Sequence, residues 1–155
     1  LLEFQRRVSR LQRAALGASK VADEVQARLD HLKAAVAETP AADPKLFGEI
    51  VALAGRLKDL RTALEGDALL AARQEPVPPS ILDRVGAVLS TELASFSQPT
   101  TTHRDGYRVA AEEFAPLLEK LRTLVEVDLR GIEDRLETAG APWTPGRLPV
   151  WSREK

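Results

Sequence analysis

The sequence contains no cysteine and no methionine, and only two of its 155 residues are histidine. Without cysteine the chain has no disulfide, no thiolate metal site and no cysteine nucleophile. Two histidines provide few ligands for a zinc site and few groups for acid–base catalysis. Aromatic residues make up 5% of the chain, so its core has to be mostly aliphatic. Because even the first residue is not methionine, we expect the sequence to be a piece of a longer polypeptide.

An excess of charge of one sign is also lacking, since the formal net charge is −1. No bulk field therefore draws the molecule to nucleic acid or to an anionic membrane. No apolar run approaches the roughly 20 residues of a membrane-spanning helix, and no secretory hydrophobic region is visible. A length of 155 residues fits one domain whose core needs no covalent staple.

The first segment has an unbroken heptad pattern, which predicts a long helix over about 2–38 with coiled-coil-like packing. Its apolar and small residues, the helix-one stripe, alternate at spacings of three and four: Leu1, Phe4, Val8, Leu11, Ala15, Ala18, Ala22, Val25, Leu29, Leu32 and Val36. The small residues in the middle of the stripe allow a neighbouring backbone to approach closely.

Apolar residues at helical spacing predict three further helices, over about 44–65, 80–96 and 102–139. Each has a start signal of capping residues or proline, namely Asp43–Pro44, Ser80 with Asp83, and Thr102 with Asp105. In the fourth helix, two successive spacings of four at Leu121, Val125 and Leu129 form a stutter, which predicts a locally unwound supercoil. Pro116 predicts a kink in the same helix.

The predicted fold class is all-α, an antiparallel four-helix bundle of two helical hairpins with long first and fourth helices. Short connections make the helices of each hairpin antiparallel neighbours. Residues 75–79 are predicted to form a polyproline-like strut between the hairpins. The bundle spans 1–139, and 140–155 form an extended Pro/Trp tail that docks on it through Trp143 and Trp151.

The unequal helix lengths raise the question of what covers the helix-one stripe. The first helix spans roughly 54 Å and the second roughly 32 Å at about 1.5 Å per residue. Part of the stripe therefore needs cover from the fourth helix or from a second chain.

The sequence contains few patterns that carry chemistry. A di-iron bundle needs paired Glu-x-x-His motifs, and neither His31 nor His103 has a glutamate three residues before it. Phosphate-binding loops, Gly-x-Ser-x-Gly and His-Glu-x-x-His are absent from the sequence. The carboxylates of the fourth helix are interpreted as a solvated face. We therefore predict no catalytic, metal-binding or cofactor-binding residue and no cofactor.

Arg6, Arg7, Arg10 and Arg13 lie close together near the start, opposed only by Glu3. An acidic partner or a phosphate would be attracted to this face, and a solvated outer face is the alternative. The predicted interaction residues are Leu11, Ala15, Ala18, Arg6, Arg10, Arg13, Trp143 and Trp151. Near-zero net charge and scarce aromatics argue against a nucleic-acid partner.

Four peptide segments, in this order, resemble the C-terminal helical region of large bacterial proteins with Asp-box (BNR-type) or sortilin-like β-propellers. They are Arg73–Val85, Thr102–Ala110, Glu113–Leu118 and Gly140–Pro149, within a resemblance that covers about residues 60–151. Such proteins are often labelled glycosyl hydrolases. The resemblance implies a propeller domain in the same polypeptide and an exported, extracytoplasmic location. No Asp-box occurs in this sequence, so any sugar-cleaving acids would lie in the propeller.

Two functions are therefore expected, and neither makes this fragment an enzyme. The first is a non-catalytic assembly or interaction module, in which the helix-one stripe is buried against the propeller or in a homodimer. The second is an accessory wall of a glycan- or peptide-processing propeller, contributing binding but no catalytic residues. A binder of peptides or membrane surfaces through the arginine face is a further possibility, and salt-sensitive binding would reveal it.

Overall fold

The computed structural model describes residues 1–94 and 98–154, in which every regular element is helical. The elements are α1 (Leu2–Ala37), α2 (Lys45–Glu65), α3 (Ala68–Ala72), α4 (Ile81–Ala94), α5 (Thr101–Thr123), a π-helical segment (Leu124–Leu129) and α6 (Arg130–Thr138). The all-α prediction is confirmed. Since α5, the π segment and α6 follow without a break, they form one long helix. The predicted end of the third helix at Phe96 and the turn at Ser97 lie outside the described residues.

The helix-one stripe is covered within the chain along most of α1. Its buried members are Val8, Ala15, Ala18, Ala22, Val25, Leu29 and Leu32. Phe4, Leu11 and Val36 are partly buried and pack against the same core. Aliphatic residues from α2, α4, α5, the π segment and α6 complete this single cluster.

Polar contacts show that α2 runs antiparallel to α1. The Ser19 hydroxyl donates a hydrogen bond to Glu65, and Arg61 pairs with Asp23 four residues further along α1. Burial opposes the charge of Arg61, but hydrogen bonds to Asp23 and Glu65 outweigh it and raise the pKa of Arg61 above its ordinary value.

The long helix is antiparallel to α2 and parallel to α1. Arg56 of α2 lies 2.9 Å from Asp128, and Glu49, earlier in α2, pairs with Arg135, later in the long helix. On the other side, Phe4 packs edge-on against Tyr107 with 5.7 Å between ring centroids. Further along both helices, Arg28 pairs with Glu133.

The helix α4 covers the half of α1 that α2 does not reach. The Gln5 amide donates to the backbone oxygen of Glu92 at 3.4 Å, which places the end of α4 beside the start of α1. At the other end of α4, a Cβ on Gly66 would lie 3.8 Å from Cβ of Ser80, so α4 begins where α2 ends. With 21 and 14 residues, the two helices together extend about 53 Å, close to the length of α1.

This succession of α2 and α4 along α1 bears on two sequence predictions. The described contacts do not confirm a four-helix bundle, because α2 and α4 follow one another instead of lying side by side. The predicted strut is not confirmed either. We call the elongated body formed by α1, α2, α4 and the long helix the rod. The chain leaves the rod after Gly66 and returns to it at Ser80, and the intervening residues 67–79 include α3 and the exposed prolines.

The π segment lies within the stretch in which the sequence has its stutter. The buried leucine and isoleucine residues of the long helix are Leu117, Leu121, Leu124, Leu129, Ile132 and Leu136. Leu129 follows Leu124 by five positions. In an α-helix this spacing rotates the second side chain by about 140° away from the first. The i→i+5 bonding of a π-helix brings both side chains to the core. Pro116 lies earlier, inside α5, where it is exposed.

Capping residues explain two of the helix starts. Ser80 and Asp83 form the predicted capping box, with reciprocal hydrogen bonds of 3.1 Å. The predicted Thr102–Asp105 box is wrong. The helix α5 begins at Thr101, and the Thr100 hydroxyl accepts the hydrogen bond from the His103 backbone N–H at 3.3 Å.

Deleting Val127 is expected to be tolerated, although it removes a residue from inside a helix. Val127 is 62% exposed, and its loss shortens the Leu124–Leu129 spacing to four, which suits an ordinary α-helix. Deleting Asp59, exposed in α2, would instead rotate one half of that helix by about 100°. Circular dichroism melting should show one cooperative transition for the first deletion and a weakened or absent one for the second. Equal damage by both deletions would contradict this account of the π segment.

Candidate interaction site

The structure places the predicted helix-one interaction residues in the core. Ala15 is 0% exposed and Ala18 is 4% exposed, while Leu11 is partly buried against the same cluster. The chain's own helices therefore already cover these side chains. Binding of a partner by Leu11, Ala15 and Ala18 stays a prediction that burial within the chain does not favour. The sequence shows that a stripe needs cover but not which helix supplies it.

The predicted arginines lie apart from the predicted tryptophans. Arg6, Arg10 and Arg13 are exposed in the N-terminal half of α1. Arg7 forms an ion pair with Glu3 at 2.9 Å. Trp143 belongs to a segment that contacts Glu133 in α6, whose carboxylate pairs with Arg28 in the C-terminal half of α1. The predicted residues therefore do not form one site.

A buried cluster of three charges attaches the C-terminal tail to the rod, and we call Arg28, Glu133 and Arg147 the tail clamp. The Glu133 side chain is 3% exposed and pairs with both arginines, with 3.4 Å to Nε of Arg147. Nη1 of Arg147 also donates to the backbone oxygen of Glu133 at 3.2 Å. A third bond joins Nε of Arg147 to the Thr144 hydroxyl at 3.3 Å.

The tail clamp is stable only as a complete set. A lone buried carboxylate is costly, whereas two guanidinium groups offset its charge and occupy its lone pairs. Gly146 has a φ of +93°, and a Cβ there would lie 2.9 Å from Nε of Arg28. Glycine at this position therefore lets the tail backbone lie against the arginine.

Residues 141–147 follow the surface of the rod. Thr144 is buried, and Ala141 packs against the core. The Arg147 guanidinium lies 4.7 Å from the ring centroid of Trp143, in a cation–π contact. Trp151, in contrast, is 82% exposed. The prediction that Trp151 docks on the rod is therefore wrong.

Residues 148–151, directly beyond the tail clamp, are apolar and have no regular secondary structure. Leu148, Val150 and Trp151 are 88%, 81% and 82% exposed, with Pro149 between them. Further exposed apolar side chains are Phe47 and Val51 on α2, both about half exposed, and Val127 on the long helix. We refer to these six apolar side chains together as the exposed apolar end. Sequence reasoning missed Phe47 and Val51, although their spacing of four, off the buried stripe of α2, is a detectable signal.

A second buried carboxylate joins α4 to α5. Glu92 is 3% exposed, and its Oε1 lies 2.7 Å from Nδ1 of His103. The sequence interprets His103 as a residue of the capping turn, and the structure adds this contact. Glu92 was not predicted, because an acidic residue late in a helix carries no signal of burial. His31 is exposed on α1.

The described part of the chain contains neither a metal-binding cluster nor a helix suited to cross a membrane. Residues 1–94 and 98–154 contain no group of three or more histidine, aspartate or glutamate side chains placed to hold a metal ion. Within the same residues, no helix combines the length and the apolar character needed to cross a membrane.

Comparison of the chain with protein-family models, with curated proteins and with solved structures gave no match.

Proposed function

We propose that the chain is a non-catalytic helical assembly module that associates with a second copy through its exposed apolar end. The observation that carries the proposal is the tail clamp followed at once by exposed apolar residues. The rod fixes Arg147, and the next four residues present Leu148, Val150 and Trp151 to solvent. Clustered exposed apolar side chains, tryptophan above all, are typical of protein-binding surfaces.

The tail clamp favours association because it reduces the entropic cost of binding the tail to a partner. A segment whose base is already held loses less freedom when it binds than a free terminus does. Pro149 further restricts the backbone conformations that the unbound tail can adopt, since its ring fixes φ. An extended segment of this kind suits a groove that accepts alternate side chains. In the proposal, the two helical hairpins and the residue 75–79 connection serve as the scaffold for this end.

A second copy fits this end because it offers matching apolar surface. Phe47 and Val51 lie one turn apart on an exposed face of α2, in its N-terminal half. The Glu49–Arg135 and Arg147–Glu137 contacts place α2, α6 and the tail at the same end of the rod. A two-fold pair of chains would place each tail against the other chain's Phe47 and Val51.

Trp151 fluorescence tests the proposal directly. In the Trp143→Phe variant, Trp151 is the one remaining tryptophan. Its emission is expected to shift to the blue as the protein concentration rises from low to high micromolar, because association removes the ring from water. Adding Leu148→Ser in the same background should keep the emission red at every concentration. Emission that does not change with concentration would contradict self-association.

The resemblance to propeller proteins supplies the alternative proposal. The exposed apolar end would then face the propeller domain of the same polypeptide, and the chain would be an accessory wall that contributes binding but no catalytic residues. This alternative predicts that Leu148→Ser weakens glycan or peptide binding by the full-length protein. It also predicts that the isolated chain remains monomeric.

A further inference from the structure

The outer side of the first half of α1 carries a row of cations. Arg6, Arg10, Arg13 and Lys20 are exposed, and we call them the basic face. None of the four has an ion-pair partner in the part of the chain that the structure describes, whereas neighbouring Arg7 pairs with Glu3. No acidic residue occurs between Glu3 and Asp23, so the positive charge of this face is uncompensated along the helix.

The basic face is narrow and points away from the core. At about 100° per residue the four cations fall within an arc of about 80°, opposite the buried Val8, Ala15 and Ala22. From Arg6 to Lys20 the row extends about 21 Å along one uninterrupted helix. A narrow row on a single helix suits an extended anionic surface better than a compact ligand.

Two exposed leucines accompany the cations. Leu2 is 61% exposed and Leu16 is 47% exposed, and both fall on the side of α1 that carries the basic face. Large apolar side chains next to cations are typical of segments that lie at the headgroup boundary of a bilayer. A purely electrostatic contact with an acidic protein would gain little from these leucines.

We infer that the basic face binds an anionic lipid surface. The arginine guanidinium groups match lipid phosphate in a bidentate geometry, and the two leucines enter the headgroup region. The net charge of the whole chain is −1, so the rest of the surface carries a net negative charge and the attraction is concentrated on this face. The basic face and the tail clamp lie on different halves of α1, so the inference is independent of the proposed self-association.

Vesicle cosedimentation of the intact chain tests the inference. Vesicles of phosphatidylcholine with phosphatidylserine are expected to bind the chain at low salt, and phosphatidylcholine alone is not. The double variant Arg10→Glu with Arg13→Glu should bind at least about 25-fold more weakly, at roughly fivefold for each cation lost. About 1 M salt should release the chain, because the Debye length falls to about 3 Å.

A double variant on α2 provides the matched control. Lys45 and Lys58 are exposed, and Lys45→Glu with Lys58→Glu changes the net charge by the same amount. This control should bind phosphatidylserine vesicles within about twofold of the unchanged chain. Equal losses in the two double variants, no binding to either vesicle, or equal binding to both vesicles would overturn the inference. Binding to soluble polyglutamate without binding to vesicles would also overturn it, in favour of an acidic protein partner.

Discussion

The substitution Ala15→Asp is expected to destabilise the chain strongly. Ala15 is 0% exposed in the helix-one stripe, and a carboxylate there would be buried among aliphatic side chains without a cation. A buried charge without a partner costs several kcal/mol. Because domains are typically stable by about 5–15 kcal/mol, we expect a loss of more than about 4 kcal/mol. Urea denaturation followed by circular dichroism measures this loss.

The neighbouring residue supplies the control for this substitution. Ala14 is exposed on the same helix, so Ala14→Asp changes helix propensity by the same amount without burying charge. Its effect should stay within about 1 kcal/mol. If Ala15→Asp gave a stable folded monomer while the unchanged chain was a dimer, the stripe would be an interface between chains. That result would contradict closure of the core within one chain.

Glu133→Gln is expected to destabilise the chain by about 3 kcal/mol, because it leaves two guanidinium groups facing an uncharged amide. The Arg28 and Arg147 side chains are 18% and 11% exposed, so solvent replaces the lost partner only in part. For a domain of this size, such a loss lowers Tm by about 6–12 °C. Trp143 emission should shift to the red as the tail leaves the rod.

Glu137→Gln is the matched control for the tail clamp. Glu137 lies one turn further along α6, 3.6 Å from Nη1 of Arg147, and its side chain is 43% exposed. Exposed ion pairs contribute about 0–1 kcal/mol, so this change should lower Tm by no more than about 4 °C. Similar shifts for Glu133→Gln and Glu137→Gln would show that burial of Glu133 does not hold the tail.

Helices and their boundaries were predictable because local chemistry determines them. The heptad pattern of the first segment gives α1, and reciprocal bonds of Ser80 and Asp83 start α4 as predicted. The stutter at Leu121, Val125 and Leu129 lies where the π segment occurs, although it predicted an unwound supercoil and not a π-helix. In each case the residues that give the signal lie within two helical turns of the feature that they predict.

The order of packing was not predictable from the same signals. An apolar stripe shows that a helix has a buried face, but not whether α2 and α4 cover α1 side by side or in succession. Their succession depends on the return of the chain from Gly66 to Ser80, which is a tertiary event. Counting helices therefore predicted a four-helix bundle that the described contacts do not confirm.

The tail clamp could not be predicted from the sequence either. Arg28 and Glu133 are 105 positions apart, and neither residue differs in sequence context from the solvated charges around it. Composition alone led to the expectation that both tryptophans dock. The structure keeps Trp143 beside Arg147 and leaves Trp151 exposed, because the last anchoring contact of the tail is at Arg147.

Sedimentation equilibrium tests the central claim, that the chain closes its own core and associates through its exposed apolar end. The unchanged chain and the double variant Leu148→Ser with Trp151→Ser should be compared at matched micromolar concentrations. We predict a reversible monomer–dimer equilibrium for the unchanged chain and a monomer of unchanged Tm for the variant. A monomer at every concentration for the unchanged chain, or equal dimerisation of both proteins, would contradict the claim.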